Sequence, residues 1–194
     1  MYQVEVKVKG LAVLLQHRFP VPTYEEMGSG GKKQTGSKDY RQEWRQSLYV
    51  TDKGEVYQPA NHFELAMVKA ASNFKITGRR GKTYKDLVSS NVVVDPEKIL
   101  FGMTITENDD LTTDADQPLY LDLRPVVIQR ARIVRIRPAF KPGWELDFVI
   151  NVLDDELPAN MLQDILTLAG KTVGIGDYRP KFGRFVVTKF EVLK

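Results

Sequence analysis

The segment from Gly174 to Phe185 holds the residue types that bind phosphate groups and unpaired bases. Its glycines allow a ligand to approach the backbone closely, and cationic and aromatic side chains lie between them: Gly174, Gly176, Gly183, Arg179, Lys181, Arg184, Tyr178 and Phe182. Turn N–H groups and guanidinium groups bind phosphate oxygens, whereas aromatic rings stack on bases. The pattern predicts a loop that binds nucleic acid. The alternative is a plain turn with its phenylalanines in the core and its charges solvated.

This glycine-rich segment differs from the two common nucleotide-binding motifs. It has no Gly-Lys-Ser/Thr ending, so it is not a Walker loop. It precedes a predicted strand and does not open a helix, so it is not a dinucleotide fingerprint. It therefore indicates binding along a nucleic-acid backbone and predicts no catalysis.

A second basic segment runs from Lys75 to Lys85 and contains no acidic residue. Such a segment would track a phosphate backbone and would make binding fall with salt. The alternative is a solvated loop. The predicted contact residues outside the glycine-rich segment are Arg79, Arg80, Lys82 and Lys85 in this loop, and Arg130 and Arg132 further along the chain.

Two histidines are the candidates for acid–base chemistry. His17 has Arg18 beside it, and His62 lies at the start of a predicted helix. Either one could serve a ribonuclease as general base, with a neighbouring cation stabilising the transition state. No second acid–base group stands at a telling spacing from either, so a structural or capping role is expected for both.

The acidic stretch around Asp109, Asp110, Asp114 and Asp116 lacks the spacing of an EF-hand, so a surface loop is expected there. The Ser/His/Asp motifs and the His-Glu-x-x-His motif are absent. No catalytic residue, no metal site and no cofactor are therefore predicted.

The composition is that of a folded chain with a mildly basic balance. Of 194 residues, 42% are hydrophobic and 27% are charged, and the formal net charge is +3. The absence of cysteine excludes disulfides, thiolate metal sites and cysteine nucleophiles. We find neither a secretory signal nor an apolar stretch of the roughly 18 residues that a membrane span needs, so no membrane partner and a cytoplasmic location are expected.

Periodicity predicts the elements that must position these groups. Alternating patterns predict strands over 2–9 with a continuation to Leu15, 119–137, 144–152 and 185–193. Helical spacing predicts one helix over about 60–74, with Asn61 and Glu64 as a capping box, and a second from Pro158 to Gly170. A hairpin is expected around Asp52-Lys53-Gly54, and a mobile loop or arm over 20–46, with Lys32, Lys33 and Lys38 in its segment 28–38.

The resulting order is strand, helix, strand, strand, helix, strand. This βαββαβ order is that of the ferredoxin-like, or split βαβ, unit of the α+β class. We expect one domain over 1–194 with two large insertions, at about 18–58 and about 76–118. The second core strand in this assignment is 119–137, which would form a hairpin with 144–152.

Two stretches resemble the RAMP superfamily of CRISPR-associated proteins, which bind guide RNA. Val56-Tyr-Gln-Pro-Ala-Asn-His-Phe-Glu-Leu-Ala66 resembles the superfamily's entry to its first helix, and Gly176-Asp-Tyr-Arg-Pro-Lys-Phe-Gly-Arg-Phe185 resembles its glycine-rich loop before the last strand. The usual denser glycine run is replaced here by Tyr178 to Phe182. The opening from Lys9 to Phe19 and the close from Val173 to Phe185 are also similar to phage and prophage proteins.

The resemblance implies a ferredoxin-like (RRM/RAMP-like) fold and a backbone-type subunit that polymerises along a single strand as a homo-oligomer or filament. It also implies a protein of a bacterial or archaeal cell, or one encoded by a phage, with the insertions contacting RNA and neighbouring subunits. Three hypotheses follow: a non-enzymatic protein that binds single-stranded RNA or DNA, a metal-independent endoribonuclease of the same superfamily that uses His17 or His62, and a phage assembly protein that binds only proteins.

Overall fold

The computed structural model describes residues 1–19, 40–128 and 131–193. Residues 20–39 of the loop or arm predicted over 20–46, and the candidate Arg130, lie outside the described residues. The loop prediction is wrong for 40–46, because a helix runs over Tyr40–Ser47. None of the described helices is long and apolar enough to cross a membrane.

The centre of the fold is an antiparallel four-stranded sheet in the order β4-β8-β1-β9. These strands are β1 (Tyr2–Gly10), β4 (Val92–Asp95), β8 (Glu145–Val152) and β9 (Phe185–Leu193). Helix α2 (Asn61–Ala71) follows β1, and helix α4 (Ala159–Leu168) lies between β8 and β9. The predicted α+β class and the βαββαβ order are therefore confirmed.

One face of this sheet is covered by the helices because its strands alternate. Val4, Val6 and Val8 of β1 are fully buried, whereas the residues between them reach the other face. Phe63 of α2 joins the layers, since its ring lies 4.6 Å from that of Phe148 and 5.4 Å from that of Phe185. The start of α2 is thereby fixed beside the start of β9.

The second core strand is Val92–Asp95, which pairs with β8 along Val92↔Val152 to Asp95↔Val149. These four residues fall inside the insertion predicted at 76–118, and a segment so short gives too little alternation to be recognised. The single strand predicted over 119–137 is wrong, and so is its pairing with 144–152. That region forms a separate hairpin of β6 (Leu119–Ile128) and β7 (Ala131–Phe140).

The remaining elements connect these layers. The hairpin predicted around Gly54 is present, since Val50 and Val56 form a bridge and Gly54 has a φ of +80°. The continuation predicted to Leu15 leaves the central sheet and pairs with β7. The other elements are β2 (Leu14–Leu15), α1 (Tyr40–Ser47), β3 (Glu55–Pro59), α3 (Lys85–Asn91) and β5 (Lys98–Thr104).

The capping box predicted for α2 is not formed. Ala60 occupies the N-cap position without a side-chain hydrogen bond, and Asn61 is already helical. The Oε1 atom of Glu64 accepts a hydrogen bond of 2.9 Å from the backbone N–H of Val94. Glu64 therefore ties the helix to the short strand β4, a tertiary contact that local sequence cannot reveal.

The second helix extends beyond the predicted stop at Gly170. A π-helical turn over Ala169–Val173 continues α4, and Gly174 ends it with a φ of +73°. A Cβ on Gly170 would lie 2.3 Å from the carbonyl oxygen of Phe185. Gly170 thus permits the close approach of the helix to β9, and Gly174 supplies the change of direction into the glycine-rich loop.

Candidate nucleic-acid interface

The glycine-rich loop is held by a hydrogen bond within its own backbone and by two to the chain around Leu15. The Ile175 N–H donates to Gly183, the Asp177 N–H donates to Leu15, and the Gly183 N–H donates to Val13, at 2.8–3.0 Å. A Cβ on Gly183 would lie 1.8 Å from the carbonyl oxygen of Ile175. The glycines therefore serve the packing of the loop, and the phosphate contacts predicted for Gly174, Gly176 and Gly183 stay a prediction.

The two aromatic residues of the loop have different surroundings. Tyr178 is 47% exposed and has a φ of +61°, whereas Phe182 is only 6% exposed and packs with Leu15, Tyr120 and Ala139. The sequence predicts that Phe182 stacks on a base, but the structure places its ring in a buried cluster instead. Its ring meets that of Tyr178 edge-on, with the centroids 5.7 Å apart. Tyr178 alone of this pair presents its ring to solvent.

One face of the β6–β7 hairpin covers this loop with arginines. The register pairs Asp122 with Arg137 and Arg124 with Arg135, so these four side chains share a face. The Arg124 guanidinium lies 4.5 Å from the ring centroid of Phe182, and that of Arg137 lies 5.8 Å from that of Tyr178. Arg124, Arg135 and Arg137 are not among the contacts that the sequence predicts, since the hairpin register that brings them together is a tertiary feature.

Two carboxylates compensate part of this charge. Asp122 receives two hydrogen bonds from Arg124, at 2.6 and 2.9 Å, and this contact raises the pKa of the Arg124 guanidinium. Asp177 accepts from the Nε atom of Arg137 at 2.5 Å. The Nη1 atom of Arg137 is buried and has no hydrogen-bond partner within the described part of the chain. Arg137 thus retains a donor at the junction of hairpin and loop.

Exposed cations surround this junction. Arg179, Lys181 and Arg184 are exposed, as the sequence predicts, and Arg184 donates from Nε to the Pro180 carbonyl at 2.8 Å. Arg135 donates to the Nε2 atom of His17 at 3.1 Å. We call this surface the cationic face; it consists of the side chains around Tyr178 of Arg124, Arg135, Arg137, Arg179 and Lys181. It carries five positive charges, and the carboxylates of Asp122 and Asp177 supply two negative charges beside them. Its charge favours a polyanion.

A buried polar network lies next to the loop and includes one of the two histidines. Gln16 and Gln58 are both fully buried, and Gln58 contacts the Nδ1 atom of His62. Burial, together with the charge of Arg179, lowers the pKa of His62 to about 4. His62 is therefore neutral at physiological pH, and the helix start brings it near the glycine-rich loop. Its nearness to Arg179 was not predicted.

The second predicted basic segment lies at the opposite end of the central sheet. The Arg79 guanidinium donates two hydrogen bonds to Glu156, at 3.1 and 3.2 Å, and this contact raises the pKa of Arg79. Glu156 follows β8 near the end where Tyr2, Val152 and Val92 align, whereas the glycine-rich loop precedes Phe185, opposite Gly10. The segment contains no acidic residue of its own, but Glu156 compensates the charge of Arg79. The structure therefore does not bring the two basic segments together.

The other predicted contacts are dispersed. Arg80, Lys82 and Lys85 are exposed, and Lys85 begins α3. Arg132 is exposed near the tip of the hairpin, where it pairs with Val127 on the face opposite Arg135. Charge therefore reaches both faces of the hairpin.

The open face of the central sheet has a balanced charge. Lys7 pairs with Glu145 and Asp147, and Lys189 pairs with Glu5 and Glu191. Aromatic residues that could stack on bases are replaced here by alternating acids and bases, so this face offers no platform for a polyanion. The loop and hairpin remain the strongest candidate surface.

The acidic stretch forms a turn that the chain itself stabilises. Asp109 accepts hydrogen bonds from the N–H and the hydroxyl of Thr106, at 2.7 and 2.9 Å, and these contacts lower its pKa. Arg45 donates to the carbonyl oxygens of Thr106 and Glu107. A search of the described residues finds no group of carboxylates and histidines that could hold a metal ion.

The sheet order, its two helices and the glycine-rich loop before the last strand define a RAMP-like α+β fold. Comparison with solved structures agrees, since 77 chains match. One belongs to the "Cryo-EM structure of the Type III-B Cmr-beta bound to cognate target RNA", with a TM-score of 0.54 and 13% sequence identity. The match covers 100% of this chain and 61% of that chain, so this chain spans under two thirds of its length. No protein-family model and no curated protein sequence matches.

Proposed function

We propose that this protein binds single-stranded RNA on the cationic face, through contacts to the phosphate backbone and stacking on Tyr178. The observation that carries the proposal is the group at the junction of hairpin and loop. There the exposed ring of Tyr178 lies beside the Arg137 guanidinium, and the exposed cations Arg179 and Lys181 flank it in the loop. Exposed guanidinium and ammonium groups bind phosphate oxygens, and an exposed aromatic ring beside them can stack on a base.

The arrangement favours recognition without base-specific contacts. Guanidinium groups bind phosphate oxygens of any nucleotide, and a tyrosine ring stacks on any base. The solved structure with a similar fold is described as bound to target RNA, which supports RNA over DNA as the strand. Polymerisation along the strand, a phage origin and a role in an assembly of proteins alone rest on the sequence and stay predictions.

A binding role accounts better for His17 than a catalytic one. A guanidinium group can only donate, so the 3.1 Å contact with Arg135 occupies the lone pair of the Nε2 atom. A general base needs that lone pair for the proton it removes. The endoribonuclease hypothesis therefore loses its support at this nitrogen.

Binding of a labelled oligouridine strand, followed by fluorescence anisotropy, tests the proposal. A variant with Arg135→Gln, Arg179→Gln and Lys181→Gln removes three charges from the cationic face. The matched control with Lys7→Gln, Lys9→Gln and Lys189→Gln removes three charges from the open sheet face. The first variant should bind far more weakly than the control. Equal affinity of the two variants, or no binding by the unmodified protein at about 50 mM salt, would overturn the proposal.

A further inference from the structure

We propose that His62 is a neutral hydrogen-bond donor that binds an oxygen atom of the sugar–phosphate backbone beside Arg179, through an Nε2–H held in one tautomer by two buried glutamines. The proposal rests on the proposed function and adds a binding residue to it. It assigns His62 a role different from that of a general base.

Two backbone groups fix the amide of Gln16. The N–H of Tyr49 donates to its Oε1 atom at 2.9 Å, and its Nε2 atom donates to the carbonyl oxygen of Tyr57 at 2.9 Å. A backbone N–H can only donate and a backbone carbonyl can only accept. The reverse orientation of this amide would break both hydrogen bonds, so the positions of its oxygen and nitrogen are determined.

Gln16 in turn fixes Gln58. The Nε2 atom of Gln16 also donates to the Oε1 atom of Gln58, at 3.0 Å. If the amide of Gln58 were reversed, two NH₂ groups would face each other where both side chains are fully buried. Buried donors left without acceptors are costly. The NH₂ group of Gln58 therefore faces His62.

Gln58 then determines the tautomer of His62. Its NH₂ group contacts the Nδ1 atom of the imidazole and can only donate, so Nδ1 accepts with its lone pair. A neutral imidazole that accepts at Nδ1 carries its hydrogen on Nε2. An imidazolium would carry a hydrogen on Nδ1 as well, and this N–H would face the NH₂ group of Gln58, so that two donors would meet. The low pKa of His62 agrees with this exclusion of the charged form.

The surroundings of the ring are consistent with an Nε2–H that a ligand could accept from. The ring of Tyr49 meets the imidazole edge-on, with centroids 5.7 Å apart and planes at 84°. Arg179 is close enough for its charge to disfavour a second cation at His62. Among the described residues, no hydrogen bond to the Nε2 atom of His62 is found. This atom is also absent from the fully buried side-chain atoms that lack a partner. A backbone oxygen bound to Arg179 would meet a donor that adds no charge.

His62 is neutral and Arg179 is charged, so the two residues should affect the salt dependence of binding differently. Each cation that neutralises a phosphate adds to the salt dependence, whereas a neutral donor releases no counterion. His62→Phe keeps an aromatic ring beside Tyr49 and removes the N–H, and His62→Gln supplies an amide N–H in its place. We expect His62→Phe to weaken oligouridine binding with an unchanged salt slope, His62→Gln to recover part of the loss, and Arg179→Ala to reduce the slope.

Nitrogen–proton correlation spectra of the histidine rings test the tautomer without any ligand. A hydrogen on Nε2 and a lone pair on Nδ1 at neutral pH are expected for His62; a hydrogen on Nδ1, or an imidazolium, would overturn the proposal. It would also fall if the unmodified protein bound oligouridine and His62→Phe bound equally well, with the proposed function intact. Failure of the unmodified protein to bind would instead contradict the proposed function, and the spectra would still decide the tautomer.

Discussion

Arg137 of the hairpin and Asp177 of the glycine-rich loop form an ion pair, with 2.5 Å between the Nε and Oδ2 atoms. The two residues are far apart in the sequence and belong to different elements. Their contact joins the face of the hairpin that carries the arginines to the loop that carries Tyr178. Because the Arg137 side chain is only 7% exposed, this pair helps to hold the candidate interface together.

Asp177→Ala should reduce the free energy of unfolding by about 1–3 kcal/mol, because it leaves a buried guanidinium without its counter-ion. Glu156→Ala is the matched control, since it removes the acid from the exposed pair with Arg79 and should reduce the free energy of unfolding much less. Urea unfolding measures both. Equal losses in the two variants would show that the Arg137–Asp177 pair contributes no more than a surface pair.

Gly183→Ala should be much more destabilising than Gly78→Ala. Both glycines have a positive φ, of +70° and +79°, so both variants suffer the same backbone strain. Of these two glycines, Gly183 is the one where a Cβ would collide with backbone atoms, since nothing lies within 4 Å of the Cβ position at Gly78. The difference should be about 1–3 kcal/mol by urea unfolding. A difference near zero would mean that the loop does not need this close approach.

The neutral state of His62 should make stability depend on pH. Its folded-state pKa of about 4 lies below the ordinary value of 6.5, so between these pH values the unfolded chain binds a proton that the folded chain does not. Stability should therefore rise with pH across this window and be lost as the pH falls through it. Urea unfolding at several pH values should show a weaker dependence for His62→Gln than for the unmodified protein. Identical pH profiles would contradict the shift.

Tyr178→Ala and Phe182→Ala should separate binding from stability. Tyr178 is exposed, so its loss should weaken oligouridine binding by about 1–3 kcal/mol, the contribution of one stacked base, and should leave stability nearly unchanged. Phe182 is buried, so its loss should cost about 3–5 kcal/mol of unfolding free energy. Anisotropy and urea unfolding measure the two effects. A large stability loss in Tyr178→Ala, together with a stable Phe182→Ala that binds weakly, would contradict the placement of these rings.

The sequence predicts the fold where a pattern is long, and less well where tertiary contacts decide. Alternation in β1, β8 and β9 and the apolar stripes of two helices predict five of the six elements of the βαββαβ order, whereas the second strand is wrongly assigned to 119–137. The four-residue strand β4 is too short for such a pattern. The pattern over 119–137 likewise does not indicate the division into β6 and β7, so it predicts one strand where the structure has two.

The candidate site was predicted only in part for a similar reason. The positions of Tyr178, Arg179 and Lys181 on an exposed loop are local features, and the glycines indicate them. The partners of that loop come from elsewhere: Arg137 from the hairpin and His62 from the start of α2. Nothing local indicates that Glu156 compensates Arg79, or that Phe182 turns inward while Tyr178 turns outward.

The salt dependence of oligouridine binding tests the central claim most directly. A single strand gives a slope of about −0.7 for each phosphate that a cation neutralises. If the cationic face is the interface, the logarithm of the binding constant should fall steeply between about 50 and 200 mM salt, with a slope of roughly −2 or steeper. Replacement of Arg135, Arg179 and Lys181 by glutamine should make that slope much shallower. A flat response of the unmodified protein, or a slope that these substitutions leave unchanged, would contradict the account.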